Sequence, residues 1–178
     1  MAADYLIASL QPLAFDGPAP YTWDRFLSIC RDQLSDGQVA AIVWLAAPAD
    51  APAPPSAVLA AWRDLDGQLR NAVATERARV LDRDASAYRR SVAGCSLYWA
   101  GRVAAAFQEK DPARRDELLD RIRWDAAGEL TPPTAPLSAE AAFTYAIRLR
   151  IVLRRQAIAP AAGNAALDRL SAASRLAF

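Results

Sequence analysis

The side chains that most often carry acid–base or metal chemistry are scarce in this sequence. Histidine is absent, which excludes histidine-containing zinc sites, Ser-His-Asp and Cys-His catalysis, and a histidine pH switch. The two cysteines, Cys30 and Cys95, are too few for a four-cysteine metal site, and so few cysteines favour reduced thiols over a disulfide. Asp64 and Asp66 stand two residues apart, so on a helix their carboxylates diverge and are expected to be solvated. We therefore expect no catalytic, metal-binding or cofactor-binding residues, and no enzyme activity.

One carboxylate falls where an apolar side chain is expected. Between residues 56 and 82 the apolar residues recur every three or four positions, which predicts one buried face of a long helix, and Glu76 lies on that face. A carboxylate in such a place must find a cationic partner or bind a proton. We expect an arginine from another helix to pair with Glu76, or Glu76 to lie at the exposed end of the stripe. A catalytic role is the remaining alternative.

Arginine is the one chemically versatile residue that this sequence has in quantity. The chain carries 20 arginines and one lysine, yet its net charge is only +1, so any preference for acidic partners must be local. In "LSAEAAFTYAIRLRIVLRR" (137–155), Arg148 and Arg155 share one face of a predicted helix, and Arg150 and Arg154 share another. Guanidinium groups pair with carboxylates in a planar, bidentate way that suits interfaces. We predict that these four arginines contact a partner protein; pairing within the chain is the alternative.

Two other binding modes fit this basic helix less well. Base recognition would require a helix-turn-helix pattern or interleaved aromatic residues, and neither is evident. A membrane-surface helix usually uses lysine as well and would expose its apolar face. No stretch of the sequence approaches the roughly 20 apolar residues of a membrane span. We therefore expect neither nucleic-acid binding nor direct membrane insertion.

The elements that must position these residues are predicted to be helices. Apolar residues recur at helical spacing along most of the chain, and no segment shows the sustained two-residue alternation of a strand. Thr22, Ser138 and Asp111 before a proline are good N-caps, and Asp36-Gly37 is expected to break the chain. Residues 4–10 fit a strand or a first helical turn. The predicted helices are 22–30, 39–47, 56–82, 85–90 resuming at 97–108 after a break at Gly94, 111–128, 138–155 and 164–177.

The expected fold class is all-α, with about seven helices in a single compact domain or, alternatively, in two small helical lobes. The segment "PADAPAPP" (48–55) has four prolines in eight residues, which excludes helix and predicts a stiff linker. The linker divides the chain into an amino-terminal helical segment, 1–47, and a main helical domain, 56–178. The amino terminus lacks the basic start of an export signal, so we expect a cytoplasmic protein.

The chain carries five segments in the order in which one bacterial family has them. In the opening segment, Asp4 stands where that family has the first of two tyrosines, and Gln11 precedes the proline. The five segments are "DYLIASLQPLAFDGPAP" (4–20), "FLSIC" (26–30), "LRNAVATERARVLDRDASAYRR" (69–90), "DPARRDELLDRIRWDAAGEL" (111–130) and "LSAEAAFTYAIRLRIVLRR" (137–155). They resemble an uncharacterised family whose members tend to occur among the genes of V/A-type rotary ATPases.

That family is similar in gene context and all-α character to the central-stalk socket protein of these ATPases, known as the C subunit, or as the d subunit in the vacuolar enzyme. The resemblance implies a non-catalytic helical component that links the central rotor shaft to the membrane ring. Its partners would be the shaft and ring proteins, and it would need no cofactor. It would lie in the cytoplasm, peripheral to the inner membrane through those partners. The chain is much shorter than the socket protein, so it cannot hold that protein's three-lobed funnel.

A second interpretation belongs to a different class: a helical regulatory or small-ligand-binding protein with a pocket between helices. Such a site requires a large apolar cavity with a few polar groups. For the tryptophans among the candidates, packing at the edge of the core is the more common role. The aromatic residues expected to line such a pocket are Tyr98, Trp99, Trp124 and Tyr145.

Overall fold

The computed structural model describes residues 2–47 and 56–158, and within them seven α-helices and one 3-10 turn confirm the all-α fold class. The predicted linker 48–55 and the predicted helix 164–177 lie outside the described residues. No helix in the described ranges has the length and apolar character needed to cross a bilayer. The helices are α1 (Ala2–Ser9), α2 (Trp23–Gln33), α3 (Asp36–Trp44), α4 (Ala57–Val80), α5 (Leu97–Ala106), α6 (Pro112–Gly128) and α7 (Ala139–Ala157), and the 3-10 turn is Ser86–Tyr88.

Capping side chains fix where several of these helices begin. Thr22 and Ser56 each accept a hydrogen bond, at 3.2 Å, from the backbone N–H three residues further on. Asp111 accepts one at 2.9 Å from the N–H two residues further on, and the proline that follows it opens α6. Ser138 stands at the N-cap of α7, but its side chain makes no capping hydrogen bond. The predicted starts of α2, α6 and α7 are therefore confirmed.

The amino-terminal region differs from prediction at both ends of helix 39–47, which the structure places at Asp36–Trp44. Ser35 and Gln38 form a capping box, in which each side chain binds the backbone N–H of the other residue. Helix α3 therefore begins at Asp36, and the predicted break at Asp36-Gly37 is wrong, because these residues form its first turn. The residues left open between strand and helix, 4–10, belong mainly to α1.

The chain turns back sharply at the end of α4. Asp82 has a left-handed φ of 51°, the Arg83 N–H donates to the Ala78 carbonyl at 2.9 Å, and the Asp82 N–H donates to the Arg79 carbonyl at 3.4 Å. This is the Schellman pattern that ends a helix. Residues 83–96, which we call the return segment, then run back along α4 and contain only the 3-10 turn. The predicted helix 85–90 is wrong for this reason.

The apolar side chains form two buried clusters that meet at α6. The first holds residues of α1, α2, α3 and α7 with the start of α4, and the second holds residues of α4, α5 and α6. Helix α6 contributes Trp124 and Ala127 to the first cluster and Ile122 and Ala126 to the second. Trp62, partly buried, packs against both. Helix α7 packs against all three helices of the amino-terminal segment, so that segment shares its core with the later part of the chain.

Candidate functional site

The four arginines predicted to bind a partner all make contacts within the chain, and Arg148 is half-buried against α6. Its Nε donates to the Trp124 carbonyl at 3.1 Å, and its Cζ lies 4.8 Å from the centroid of the Trp124 ring. A Cβ added at Gly128 would collide with its guanidinium. Burial lowers the pKa of Arg148. Arg148 therefore joins α7 to the carboxyl end of α6.

Arg154 joins α7 to α6 through two carboxylates one helical turn apart. Its Nη2 donates to both carboxylate oxygens of Asp116, at 3.2 and 3.0 Å, and its Nη1 pairs with Asp120. Arg123 also contacts Asp120, at 3.4 Å. The Asp120 side chain is only 2% exposed, and burial raises its pKa more than the neighbouring Arg154 and Arg123 lower it. These contacts fix the register of α7 on α6.

Arg155 reaches the connection between α1 and α2. It donates to the Phe15 carbonyl at 2.6 Å and to Asp16 at 3.3 Å, while Arg121 of α6 contacts Asp16 at 2.6 Å. The Cζ atoms of Arg155 and Arg121 lie 3.7 and 3.8 Å from the centroid of the Phe15 ring. Desolvation would raise the pKa of Asp16, but hydrogen bonds from Arg121 and Arg155 lower it on balance. We call these four residues the Phe15 clamp.

Arg150 differs from its three neighbours. In the described part of the chain it has no carboxylate within ion-pair distance, and its Cζ lies 5.7 Å from the centroid of the Trp23 ring. Surrounding protein lowers the pKa of its guanidinium, although more than a third of the residue is exposed. Arg150 is one of the residues that line a cavity. The prediction that these arginines bind a partner stays a prediction, and Arg150 is the one least committed to internal contacts.

The cavity has a volume of about 970 Å³ and lies between α3, α4, α6, α7 and the return segment. Trp44 and Trp62 are part of its wall, beside several aliphatic side chains. Its charged residues include three aspartates, Asp64, Asp66 and Asp120. They also include six arginines, which give the wall a positive balance: Arg63, Arg70, Arg90, Arg123, Arg150 and Arg154.

The positive charge of the wall is only partly compensated, because neighbouring arginines share the same carboxylates. Asp66 accepts a hydrogen bond from Arg70 at 2.6 Å and contacts Arg123 at 3.4 Å. Arg123 in turn shares Asp120 with Arg154. Two carboxylates therefore compensate three arginines, with Asp116 adding a third carboxylate from outside the cavity wall.

Three arginines of the wall have no ion-pair partner within residues 2–47 and 56–158: Arg63, Arg90 and Arg150. Arg63 is exposed on α4, one residue after Trp62. Arg90 belongs to the return segment, and its backbone N–H and carbonyl bind the side-chain amide of Asn71 at 2.8 and 2.9 Å. The three arginines thus belong to three different elements, and all three residues line one cavity.

A second amide holds the return segment in place. Gln68 donates to the Ala93 carbonyl at 2.6 Å and accepts from the Ser96 N–H at 3.0 Å. Gly67 of α4 lies so close to Val92 that an added Cβ would collide with the valine side chain. The glycine that weakens α4 as an isolated helix therefore allows the return segment, and Arg90 with it, to approach.

The aromatic residues predicted to line a pocket do not line this cavity. Trp99 and Trp124 are buried in the hydrophobic clusters, which is the core role given as their alternative. Tyr98 is 62% exposed, and the Tyr145 hydroxyl donates to the Gln11 carbonyl at 3.0 Å. The sequence "WRDLD" (62–66) could have indicated the wall of this cavity, because it places a tryptophan beside one arginine and two aspartates.

Two predictions about carboxylates are wrong. Glu76 pairs with Arg79 of the same helix at 2.9 Å, not with an arginine from another helix, and with a side chain only 15% exposed it does not lie at an exposed end of the stripe either. Asp66, expected to be solvated, has a side chain only 17% exposed, because Arg70 and Arg123 enclose it. Glu76 finds its partner within its own helix, whereas α6 supplies Arg123 to Asp66, a neighbour that the sequence of α4 alone does not show.

The two cysteines are both free thiols with different surroundings. Cys30 is fully buried in the first hydrophobic cluster, and Cys95 is exposed in the return segment. Burial raises the pKa of Cys30 to about 12, which keeps this thiol protonated and unreactive.

The chain matches no protein-family model, no curated protein and no solved structure. The resemblance to the ATPase-associated family therefore rests on the five sequence segments alone.

Proposed function

We propose that this protein is a non-catalytic helical component of a bacterial V/A-type rotary ATPase, similar to the central-stalk socket protein, and that it links the central rotor shaft to the membrane ring. The order of the five sequence segments supports this assignment. The structural observation that carries it is the set of arginine contacts that bind α7 to α6 and to the α1–α2 connection.

A coupling component transmits torque, so its helices must not slide on one another. Charge-assisted hydrogen bonds from Arg154 to two carboxylates of α6 resist sliding along the helix axis, because each has a defined length and direction. The Phe15 clamp resists separation of the amino-terminal connection from α6 and α7. A bundle joined in this way suits a load-bearing role.

Under this proposal the protein lies in the cytoplasm, at the inner membrane through its shaft and ring partners. Arg150 is the best candidate for a partner contact, because Arg148, Arg154 and Arg155 already bind groups of the same chain. Truncation of a buried interfacial arginine typically costs about 2–5 kcal/mol of binding free energy.

The test compares two charge reversals in binding to purified shaft and ring proteins. We expect Arg150→Glu to weaken binding, and Arg31→Glu, on the exposed surface of α2, to leave it unchanged. Equal binding by both variants would remove Arg150 from the interface. Failure of the wild-type protein to bind either partner would contradict the proposed function.

A second candidate function is favoured by the cavity: binding of a small ligand between the helices. Ligand sites commonly occupy roughly 300–1,000 Å³ and combine apolar walls with a few directed polar groups. This cavity reaches the upper end of that range and is more highly charged than most.

A further inference from the structure

We propose that the arginine-lined cavity binds a small molecule that carries both a phosphate group and a planar ring. The inference rests on the second candidate function and names the chemistry of its ligand. It follows from the charge balance of the wall, from the arginines there that have no carboxylate partner among the described residues, and from the tryptophans beside them.

The charge balance calls for an anionic ligand. Six arginines and three aspartates line the cavity, and no lysine does. Cations held close together in a partly enclosed site repel one another, since the surrounding dielectric screens them less than bulk water does. A bound anion relieves this repulsion, whereas a neutral ligand leaves it unchanged.

The free donors favour a phosphate over a single carboxylate. Arg63, Arg90 and Arg150 line the cavity, and no carboxylate of residues 2–47 and 56–158 pairs with their guanidinium N–H groups. A phosphate monoester carries about −1.5 to −2 charges at neutral pH and three acceptor oxygens, which several guanidiniums can bind at once. A carboxylate has one charge and would leave the excess largely uncompensated.

The tryptophans of the cavity wall favour a ligand in which a planar ring is attached to the phosphate. Trp44 and Trp62 both line the cavity, and Trp62 is anchored by packing against both hydrophobic clusters. Indole faces stack on planar rings with little loss of side-chain freedom. A volume of about 970 Å³ exceeds what a free phosphate ion fills and accommodates a molecule the size of a nucleotide.

The site is built before any ligand arrives. The amides of Asn71 and Gln68 fix the return segment that carries Arg90, and α4 and α7 carry Arg63 and Arg150 on rigid backbone. A backbone that is already fixed loses less conformational entropy on binding than a mobile one, which favours affinity.

The test is isothermal titration of the full chain with three probes: adenosine 5′-monophosphate, adenosine and inorganic phosphate. We expect the nucleotide to bind at least roughly tenfold more tightly than either fragment, since hydrogen bonds to charged groups and ring stacking each contribute on that scale. Added salt should weaken nucleotide binding by screening the guanidiniums.

Two double variants locate the binding. Arg63→Gln with Arg90→Gln removes two free donors, and we expect it to weaken nucleotide binding roughly tenfold or more. Arg25→Gln with Arg31→Gln changes the net charge equally on the exposed surface of α2, outside the cavity, and should leave affinity unchanged. Circular dichroism and thermal melting establish that each variant is folded.

The remaining outcomes separate the two claims. Binding of adenosine as tight as that of the nucleotide, and insensitive to Arg63→Gln with Arg90→Gln, would overturn the phosphate inference while leaving a ligand-binding function. Inorganic phosphate that binds as tightly as the nucleotide would overturn the requirement for a ring. No binding of the nucleotide at millimolar concentration would overturn the inference as a whole.

Discussion

At the scale of single residues, arginine is the side chain that organises this molecule. The Phe15 clamp illustrates how: one aromatic ring and one carboxylate of a loop are each contacted by arginines from two different helices. A guanidinium can stack on a ring and donate to an acceptor in its plane at the same time, which lysine cannot do. The near absence of lysine from the sequence is consistent with these uses.

The first prediction concerns Phe15. Phe15→Leu keeps an apolar side chain but removes the ring that contacts Arg121, Arg155 and the edge of Trp124. We expect the free energy of unfolding to fall by about 2 kcal/mol, measured by urea denaturation. Phe107→Leu is the control, because that partly buried ring contacts one arginine at 5.2 Å. Equal losses in the two variants would contradict the clamp.

The second prediction separates the two thiols. Cys95 is exposed and should react with a thiol reagent at mildly alkaline pH, while Cys30 is buried with its pKa raised to about 12 and should react only after unfolding. Cys95→Ser should therefore abolish labelling of the native protein, followed by mass spectrometry. Rapid labelling of native Cys95→Ser would show that the first hydrophobic cluster opens readily.

The third prediction is a pH dependence at Asp120. Burial raises the pKa of this carboxyl above its ordinary value of 3.8, so the folded state holds the proton more tightly than the unfolded chain does. The resulting stability is present below the unfolded pKa and is lost as the pH rises through the folded pKa. Because Asp120→Asn lacks this titration, the stability of the wild type minus that of the variant should decrease with rising pH. Urea denaturation across a pH series measures the difference, and an increase would contradict the assignment.

At the scale of elements, the starts of α2, α6 and α7 could be predicted from the sequence, whereas the return segment could not. Thr22 and Asp111 cap their helices through hydrogen bonds two or three residues away, so the information is local. Residues 83–96 are held by Gln68 and Asn71 of α4, up to 28 residues away. The local spacing of apolar residues predicted a helix at 85–90, but hydrogen bonds to α4 hold this segment in a non-helical conformation.

The fourth prediction compares two helical glycines. Gly101 in α5 has open space around an added Cβ, so Gly101→Ala should raise the free energy of unfolding by about 1 kcal/mol through helix propensity. Gly67→Ala has the same propensity gain, but the new methyl group would push Val92 and the return segment away. We expect Gly67→Ala to be destabilising. Thermal or urea denaturation measures both, and a gain of equal size at Gly67 would contradict the close packing of the return segment.

At the scale of the whole molecule, the composition and helical periodicity were enough to predict an all-α fold, but not the cavity. Its wall is drawn from α3, α4, α6, α7 and the return segment, and although six of its residues lie within 62–70, the other walls come from distant parts of the sequence. The same holds for the arginines of α7. Their spacing on the helix was predictable, but their acceptors at Asp16, Asp116 and the Trp124 carbonyl depend on how distant helices pack.

The proposed role in a rotary ATPase is tested most directly by recovery from native membranes. The tagged full chain would be purified from gently solubilised membranes and its partners identified by mass spectrometry, with tag-only membranes as the control. The account predicts stoichiometric recovery of the rotor-shaft and membrane-ring proteins. Recovery of the protein alone, with an intact ATPase left in the unbound fraction, would contradict it.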